Sequence, residues 1–264
     1  MMIAVALVGC SRGPRHAGDR DGRDAPAVTT PAALQDAGVE GRPLTRREEA
    51  LLRPWFRDAI DYADVRVVDA PFSSLQPDGA YMTPRGRMYA PGDLYRADFG
   101  DPDAGIAMQA VFIHEMTHVW QYQSGKDLIA EAMLTYLEHH GDYERSYAYQ
   151  LDPSRDLLDY GVEQQASIIE DYFLIRTHEL GPGRLEDGPA DPAVRDAQYQ
   201  AVLAAFLADP GYARTINAAE LARRHADVDD HTPPHAPTCA ETPAEHARVH
   251  ACGWRMGRLD PAAP

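Results

Sequence analysis

Apolar residues crowd one stretch of this chain more densely than any other. Ile106, Met108, Ala110, Val111, Phe112 and Ile113, then Val119 and Trp120, follow one another with no proline and no glycine after Gly105. The pattern predicts a buried helix from Ala104 to Gln123, with Ala107, Val111, His114, His118 and Tyr122 along one stripe. Upstream, Thr45-Arg46-Arg47-Glu48 has the spacing of a capping box and opens a helix through Leu51, Leu52, Trp55, Phe56 and Ile60. Val65 to Val68 then reads as a strand, and Ala80-Tyr81-Met82 with Arg87-Met88-Tyr89-Ala90 as a hairpin around Pro84-Arg85-Gly86. Downstream, a helix is expected from Lys126 to His140. A loop with Gly141, Asp142 and Pro153 leads to another, in which Val162, Ala166, Ile169 and Phe173 recur at helical spacing. A last amphipathic helix covers Pro192 to Ala208, with Val194, Tyr199, Val202, Leu203 and Phe206 apolar. There are no internal repeats. The fold class that follows is α+β, mostly helical, with a small N-terminal sheet or hairpin packed on the central helix. Its folded domain is expected to span residues 41–210, ahead of a Pro- and His-rich tail over 211–264 that is loosely ordered beyond Asp227.

The composition sharpens this picture at the two ends. A length of 264 residues suffices for a sizeable core, and 44% hydrophobic content is ordinary for a globular chain. No stretch approaches the roughly 18 apolar residues of a membrane-spanning helix. The net charge of −16, from 41 acidic and 25 basic residues, argues against nucleic acid and against an anionic membrane surface as partners. Met2-Ile3-Ala4-Val5-Ala6-Leu7-Val8-Gly9-Cys10-Ser11 is a short apolar run that resembles a bacterial lipobox, so residues 1–10 are expected to be a lipoprotein signal segment. Cys10 would then carry the lipid anchor, and Ser11 after it would suit outer-membrane sorting. Residues 11–40, rich in Gly, Pro, Asp, Arg and Ala, read as a flexible tether behind that anchor. The expected address is the cell envelope, facing the periplasm; the alternative is a cytoplasmic chain with an unremarkable hydrophobic start. Cys239 and Cys252 fit that address. A bridge between them would close a loop of about 14 residues and stabilise by about 3 kcal/mol in the chain-entropy model, given an oxidising compartment. Two free thiols are the alternative. His246, His250 and Cys252 do not match the ligand spacing of a standard zinc finger.

The chemistry lies in the middle of the apolar helix, where His114-Glu115-Met116-Thr117-His118 spells H-E-x-x-H. Residues four apart share a helix face, so His114 and His118 can grip one metal ion while Glu115 reaches a water on it. Two imidazoles and a carboxylate inside an apolar helix are costly to bury without a partner, and a metal removes that cost. The bland alternative is a pair of core histidines bonded to carboxylates. A zinc site that does chemistry needs three protein ligands and one open position. No His follows at the spacing of the metzincin pattern, which favours a Glu on a second helix. Glu163, near the start of the Val162–Phe173 helix, is the leading candidate; Glu131, Glu170 and Asp171 are its rivals. Glu163 resembles the Glu of the E-x-x-A-D segment that supplies the third ligand in several Glu-type zincin families. The Asp that supports a ligand His in that pattern is replaced here by Ser167, and Asp171 stands one turn further along. Tyr122, Tyr160 and His178 are candidate oxyanion donors.

With these residues in place, the central part of the chain resembles the bacterial vgr-related protein family, H-E-x-x-H proteins linked by name to type VI secretion spike components. The matching segments are Gly41-Arg42-Pro43-Leu44-Thr45, Phe56-Arg57-Asp58-Ala59-Ile60-Asp61-Tyr62 with Val65-Arg66-Val67, the run Phe112 to Gln121, and Tyr160-Gly161-Val162-Glu163-Gln164-Gln165-Ala166. The resemblance implies a minimal zincin-like fold and a link to secretion systems. Motif and resemblance together lead to one expectation: a Zn2+-dependent metallopeptidase that cuts a peptide or protein substrate with zinc-activated water. Its ligands are His114, His118 and Glu163, and its general base is Glu115. The competing readings are an inactive scaffold or accessory protein of a secretion system and another zinc hydrolase, such as a cell-wall amidase.

Overall fold

The first helix forms because its entry is chemically over-determined. The computed structural model describes residues 40–74, 76–138 and 143–230, and within them α1 (Arg46–Phe56) begins at the capping box read from the sequence. The Thr45 side chain accepts from the Glu48 backbone N–H at 3.1 Å, and the Thr45 N–H donates to Glu48 Oε2 at 2.8 Å. The same Glu48 carboxylate takes both ends of the Arg42 guanidinium at 2.6 and 2.7 Å and the Phe99 N–H at 2.9 Å. A buried charge is tolerated here because each lone pair is used. Glu48 thereby ties the entry strand, α1 and the segment leading to the central helix into one unit. Leu52 and Phe56 on the inner face of α1 are fully buried.

Two short strands follow, β1 (Arg66–Val68) and β2 (Arg87–Tyr89), paired in parallel with Arg66 opposite Arg87 and Val68 opposite Tyr89. Arg42 bridges the outer side of β1 and Met82 the outer side of β2, both antiparallel. The hairpin expected between Ala80–Met82 and Arg87–Ala90 is thus reduced to one bridge, at Met82 and Tyr89. Pro84 has no N–H to extend the ladder, and Gly86 turns at φ +70° against the Tyr122 ring, where an added Cβ would come within 2.8 Å of it. The Thr83 side chain is spent elsewhere, as described below. What remains is an extended Tyr81–Pro84 segment on the rim of the sheet.

The central helix, α2 (Ile106–Gln123), begins two residues later than expected, because Pro102–Ala104 form a 3-10 turn and Gly105 sits at φ 83°. Residues Ala110 to Gln121 are all buried, as expected of a helix that is apolar all round. Tyr122, placed on the inner stripe by the sequence reading, is exposed. α3 (Leu128–Glu138) follows after a short turn, and α4 (Val162–His178) then packs along α2. The single helix expected from Pro192 to Ala208 is two, α5 (Pro192–Val202) and α6 (Ala204–Ala208). Leu203 breaks them at φ −89°, ψ 4°, which turns Phe206 into the core, edge-on to Phe56 and Trp120.

One element is absent from the sequence reading. α7 (Tyr212–Asp230) occupies the start of what was expected to be tail. It is anchored by Tyr212 OH to Asp156 at 2.7 Å, by Asn217 to the Ser124 carbonyl at 3.0 Å, and by burial of Ala213. Just ahead of it, Trp120 Nε1 donates to the Pro210 carbonyl at 2.9 Å. The compact unit therefore runs past residue 210, to Arg223. Arg224–Pro264 form a second unit, of which only the end of α7 is described. The architecture is mostly helical with one small parallel sheet, in keeping with the α+β class. Cys10 and the expected lipobox, the tether, and the Cys239, Cys252, His246 and His250 readings all lie outside the described residues. No described helix is long and apolar enough to cross a membrane.

Candidate metal centre

The centre is built where α2 and α4 face each other. His114 and His118 lie one turn apart on the buried face of α2, and Glu163 projects from the first turn of α4. His114 Nε2 is 3.3 Å from Glu163 Oε2, and His118 Nε2 is 3.2 Å from the same oxygen. One donor atom from each residue lies within 4.8 Å of the others, and all three side chains are buried. Metal–nitrogen bonds of about 2.0–2.1 Å in a tetrahedron put neighbouring ligand atoms about 3.3 Å apart. The spacing and the donor set, two imidazoles and one carboxylate, therefore fit a zinc-type ion, and this buried group could hold one.

Each candidate ligand is held from behind. His114 Nδ1 is 3.1 Å from Glu170 Oε2, and His118 Nδ1 is 2.8 Å from Gln121 Oε1. Gln121 in turn donates to the Val162 carbonyl and to Gln165 Oε1. Both imidazoles thus present Nε2 to the centre with Nδ1 engaged, the arrangement that orients a ligand histidine. Tyr143 OH donates to Glu163 Oε1 at 2.7 Å, which leaves Oε2 to face the histidines.

The buried carboxylates favour positive charge among these groups. Burial pulls His114 down, but its bonds to Glu163 and Glu170 outweigh this and push it up to about 10. Burial likewise opposes charge on His118, yet Glu163 raises it. Glu163 would be raised by burial, but the two histidines hold it well below the usual carboxylate range. Burial together with Glu163 pushes the Tyr143 phenol up, so it remains a neutral donor. In the metal-free site the imidazoles themselves supply the positive charge that offsets the buried Glu163 carboxylate.

Glu115 stands beside the centre without joining it. Its Oε2 accepts from Thr83 Oγ1 at 2.6 Å, so the extended segment at the sheet rim fixes the carboxylate. Burial raises its pKa, and the two imidazoles and Thr83 work against that rise. Glu115, His118, Glu163, Tyr143 and Thr83 all line one pocket of about 160 Å³.

The structure thus brings together His114, Glu115, His118 and Glu163, the four residues singled out from sequence. It places the rivals for the third ligand elsewhere. Glu170 lies behind His114, and Glu131 is outside the group on α3. Asp171, weighed as the carboxylate that would support a ligand histidine, instead accepts from Tyr149 OH and from the N–H groups of Gly183 and Arg184. It pins a loop; Glu170 has the supporting place. Ser167, at the position where an Asp was expected, is buried with its Oγ unpaired among the described residues. The three candidate oxyanion donors also lie elsewhere. Tyr122 is exposed beside Gly86, Tyr160 OH accepts from the Asp152 N–H, and His178 packs edge-on to Phe173. Thr83 and Tyr143 escaped the sequence reading because each reaches the site from a segment without periodicity. Gln121 was findable, three residues after His118 on the same helix face.

No protein-family model matches the chain. It is 37% identical over 144 residues to the type VI secretion system spike protein VgrG2b of Pseudomonas aeruginosa, a match that covers 51% of this chain and 13% of the spike protein. The solved effector domain of Pseudomonas aeruginosa VgrG2b is 31% identical and overlaps 65% of this chain and 89% of that domain, with a TM-score of 0.49. By sequence, then, the chain is a homologue of part of VgrG2b, a type VI secretion spike protein of which it spans 13%.

Proposed function

We propose that the chain is a zinc-dependent metallopeptidase with Glu115 as its general base. The observation that carries this reading is the convergence of His114 Nε2, His118 Nε2 and Glu163 Oε2 beside a carboxylate that is not itself a ligand. A structural metal site is closed and has no use for such a base. A bound zinc ion supplies Lewis-acid polarisation and makes a water acidic enough to act as a nucleophile near neutral pH. The protein residues do the rest. Glu115 takes a proton from the attacking water and hands it to the leaving amine. Thr83 keeps the carboxylate aimed, and its hydroxyl bond steadies the anionic form. Gln121 and Glu170 hold the two rings, and Tyr143 holds the far oxygen of Glu163. The apolar wall of the pocket excludes bulk water from the proton transfers.

The scaffold reading draws its support from Ser167 and from the lack of a clear oxyanion donor. Glu170 behind His114 answers the first point, while Tyr122, Tyr160 and His178 all lie away from the centre; the non-ligand carboxylate Glu115 is what favours the enzyme. Homology to part of a type VI secretion spike protein supports a role tied to type VI secretion. The cell envelope, facing the periplasm, remains the compartment we propose for the protein.

The deciding experiment pairs zinc content with hydrolysis. Wild type should carry about one zinc per chain by elemental mass spectrometry, and His118→Ala and Glu163→Ala should lose it. Glu115→Gln should keep the zinc and lose at least about a hundredfold in peptide hydrolysis, the scale of a general base. Zinc retained with hydrolysis undiminished in Glu115→Gln would refute the assignment.

A further inference from the structure

One ring outside the pocket reaches the surroundings of two candidate ligands at once. Tyr147 is 2% exposed and does not line the pocket. Its ring centroid lies 5.8 Å from that of His114, tilted by 44°, and 5.8 Å from that of Tyr143, edge-on at 77°. Tyr143 is the donor to Glu163 Oε1. A close-packed interior passes displacements on, so a shift of Tyr147 would move the His114 ring directly and Glu163 through Tyr143. Against Tyr147 lies the guanidinium of Arg184, 5.2 Å from the ring centroid, within the range of a cation–π contact.

Arg184 belongs to the segment between α4 and α5, and that segment is tied down around it. Its N–H donates to Asp171 Oδ2 at 3.0 Å, and its carbonyl accepts from the Tyr149 N–H at 3.2 Å. Asp171 also accepts from the Gly183 N–H and from Tyr149 OH, each at 2.6 Å. The Glu186 N–H donates to the Tyr149 carbonyl at 2.8 Å. Glu179 at φ 53° and Asp187 at φ 51° bracket the segment. Left-handed backbone at such residues persists only where its surroundings hold it, and a buried carboxylate is tolerated only where it is bonded. Both devices converge on the residue whose guanidinium reaches Tyr147.

We infer that Tyr147 and Arg184 are positioning residues for the candidate metal centre. Asp171 fixes Arg184 over Tyr147, and Tyr147 sets the places of the His114 ring and the Tyr143 phenol. Neither belongs to the His114, His118 and Glu163 set; they act by holding its members in place, and donor atoms so oriented bind an ion more tightly. The effect on affinity rests on the metal reading of the centre, whereas the hold on His114 does not. Charge alone would act in the other direction. A guanidinium near the centre repels a cation, so its removal would then tighten binding.

The test uses the full chain, with zinc affinity read by competition against a chelator and ligand geometry read from the visible absorption of bound cobalt(II). Arg184→Ala, at a half-buried position, should bind zinc about fivefold or more weakly, the scale of one cation–π contact. Arg184→Lys should recover most of that loss. Tyr147→Leu should bind about tenfold or more weakly, while Tyr147→Phe, which keeps the ring, should match wild type. The cobalt bands should shift in Arg184→Ala and Tyr147→Leu and stay in place in the two conservative variants. Asp171→Asn should weaken zinc binding in the wild-type background and add nothing in Arg184→Ala, since both act by one route. Equal loss from Asp171→Asn in both backgrounds would mark general destabilisation and overturn the inference. So would tighter binding, or unchanged affinity and cobalt bands, in Arg184→Ala. The metal-free protein supplies a second readout, the imidazole NMR signals, where Arg184→Ala should shift or broaden those of His114 more than those of His118. A wild type that binds neither zinc nor cobalt would remove the metal reading. His114 signals that still move in Arg184→Ala would then keep the hold on the ring, and unmoved signals would overturn it.

Discussion

At the scale of single residues, the candidate centre is braced by groups outside the His114, His118 and Glu163 set. Glu170 is the clearest case. It sits 3.1 Å behind His114 with its side chain 23% exposed, and it does what an Asp one turn closer to Glu163 would do in the resembling pattern. Loss of such a supporting partner typically lowers metal affinity 10- to 100-fold, on the order seen when outer partners are removed. Glu170→Ala should therefore bind zinc about tenfold or more weakly in a competition titration against a chelator, with folding unchanged. Unaltered affinity would mean that His114 is oriented by its packing against Tyr147 alone. His114 and His118 were legible as a pair because helix geometry converts a spacing of four into a shared face; Glu115 followed from the H-E-x-x-H motif and Glu163 from its place near the start of the second helix. Glu170 was visible only as a rival ligand. Its real place depends on how far α4 slides along α2, which spacing within one helix does not encode.

At the scale of elements, legibility followed hydrophobic contrast. α1, α2 and α4 were readable from a capping box or from apolar recurrence. α7 was not, because Tyr212-Ala213-Arg214-Thr215-Ile216-Asn217-Ala218-Ala219-Glu220-Leu221 has scattered apolar positions, with Ile216 and Leu221 exposed. Its Ala, Arg, Glu and Leu content is strongly helix-forming, and that was the signal to use. The anchoring contacts of α7 predict a cost for removing it. Loss of the Tyr212–Asp156 and Asn217–Ser124 hydrogen bonds, at about 1 kcal/mol each, amounts to about 2 kcal/mol. A chain ended at Pro210 should thus melt about 4–8 °C below the intact chain in a thermal scan. An unchanged Tm would return α7 to the status of a tail.

At the scale of the whole molecule, the centre has a charge problem that binding solves. His114 is pushed up to about 10 and His118 is raised above its ordinary value. A raised histidine stays protonated until pH climbs through its shifted pKa, so near neutral pH His114 holds a proton beside Glu163 and Glu170. Zinc takes only neutral imidazole, so a zinc ion entering this site would have to displace that proton. Calorimetry in buffers of different ionisation enthalpy should record release of at least one proton per zinc near neutral pH, and apparent affinity should rise as pH rises. Zinc binding with no proton release would show that the metal-free histidines are already neutral.

Sequence alone determined the helices α1, α2 and α4, the pairing of His114 with His118 on one face of α2, the place of Glu115 between them and the candidate Glu163 on α4. These follow from local periodicity, which any single helix carries within itself. Tertiary structure alone decided that Glu163 rather than Glu131, Glu170 or Asp171 meets the histidines, and that Thr83 and Tyr143 complete the site. It also decided that the sheet is parallel with an extended rim, and that α3 leaves an apolar face open beside the pocket. Those outcomes depend on the offset between packed helices and on segments brought together from far apart in the chain, where no repeat in the sequence records the distance.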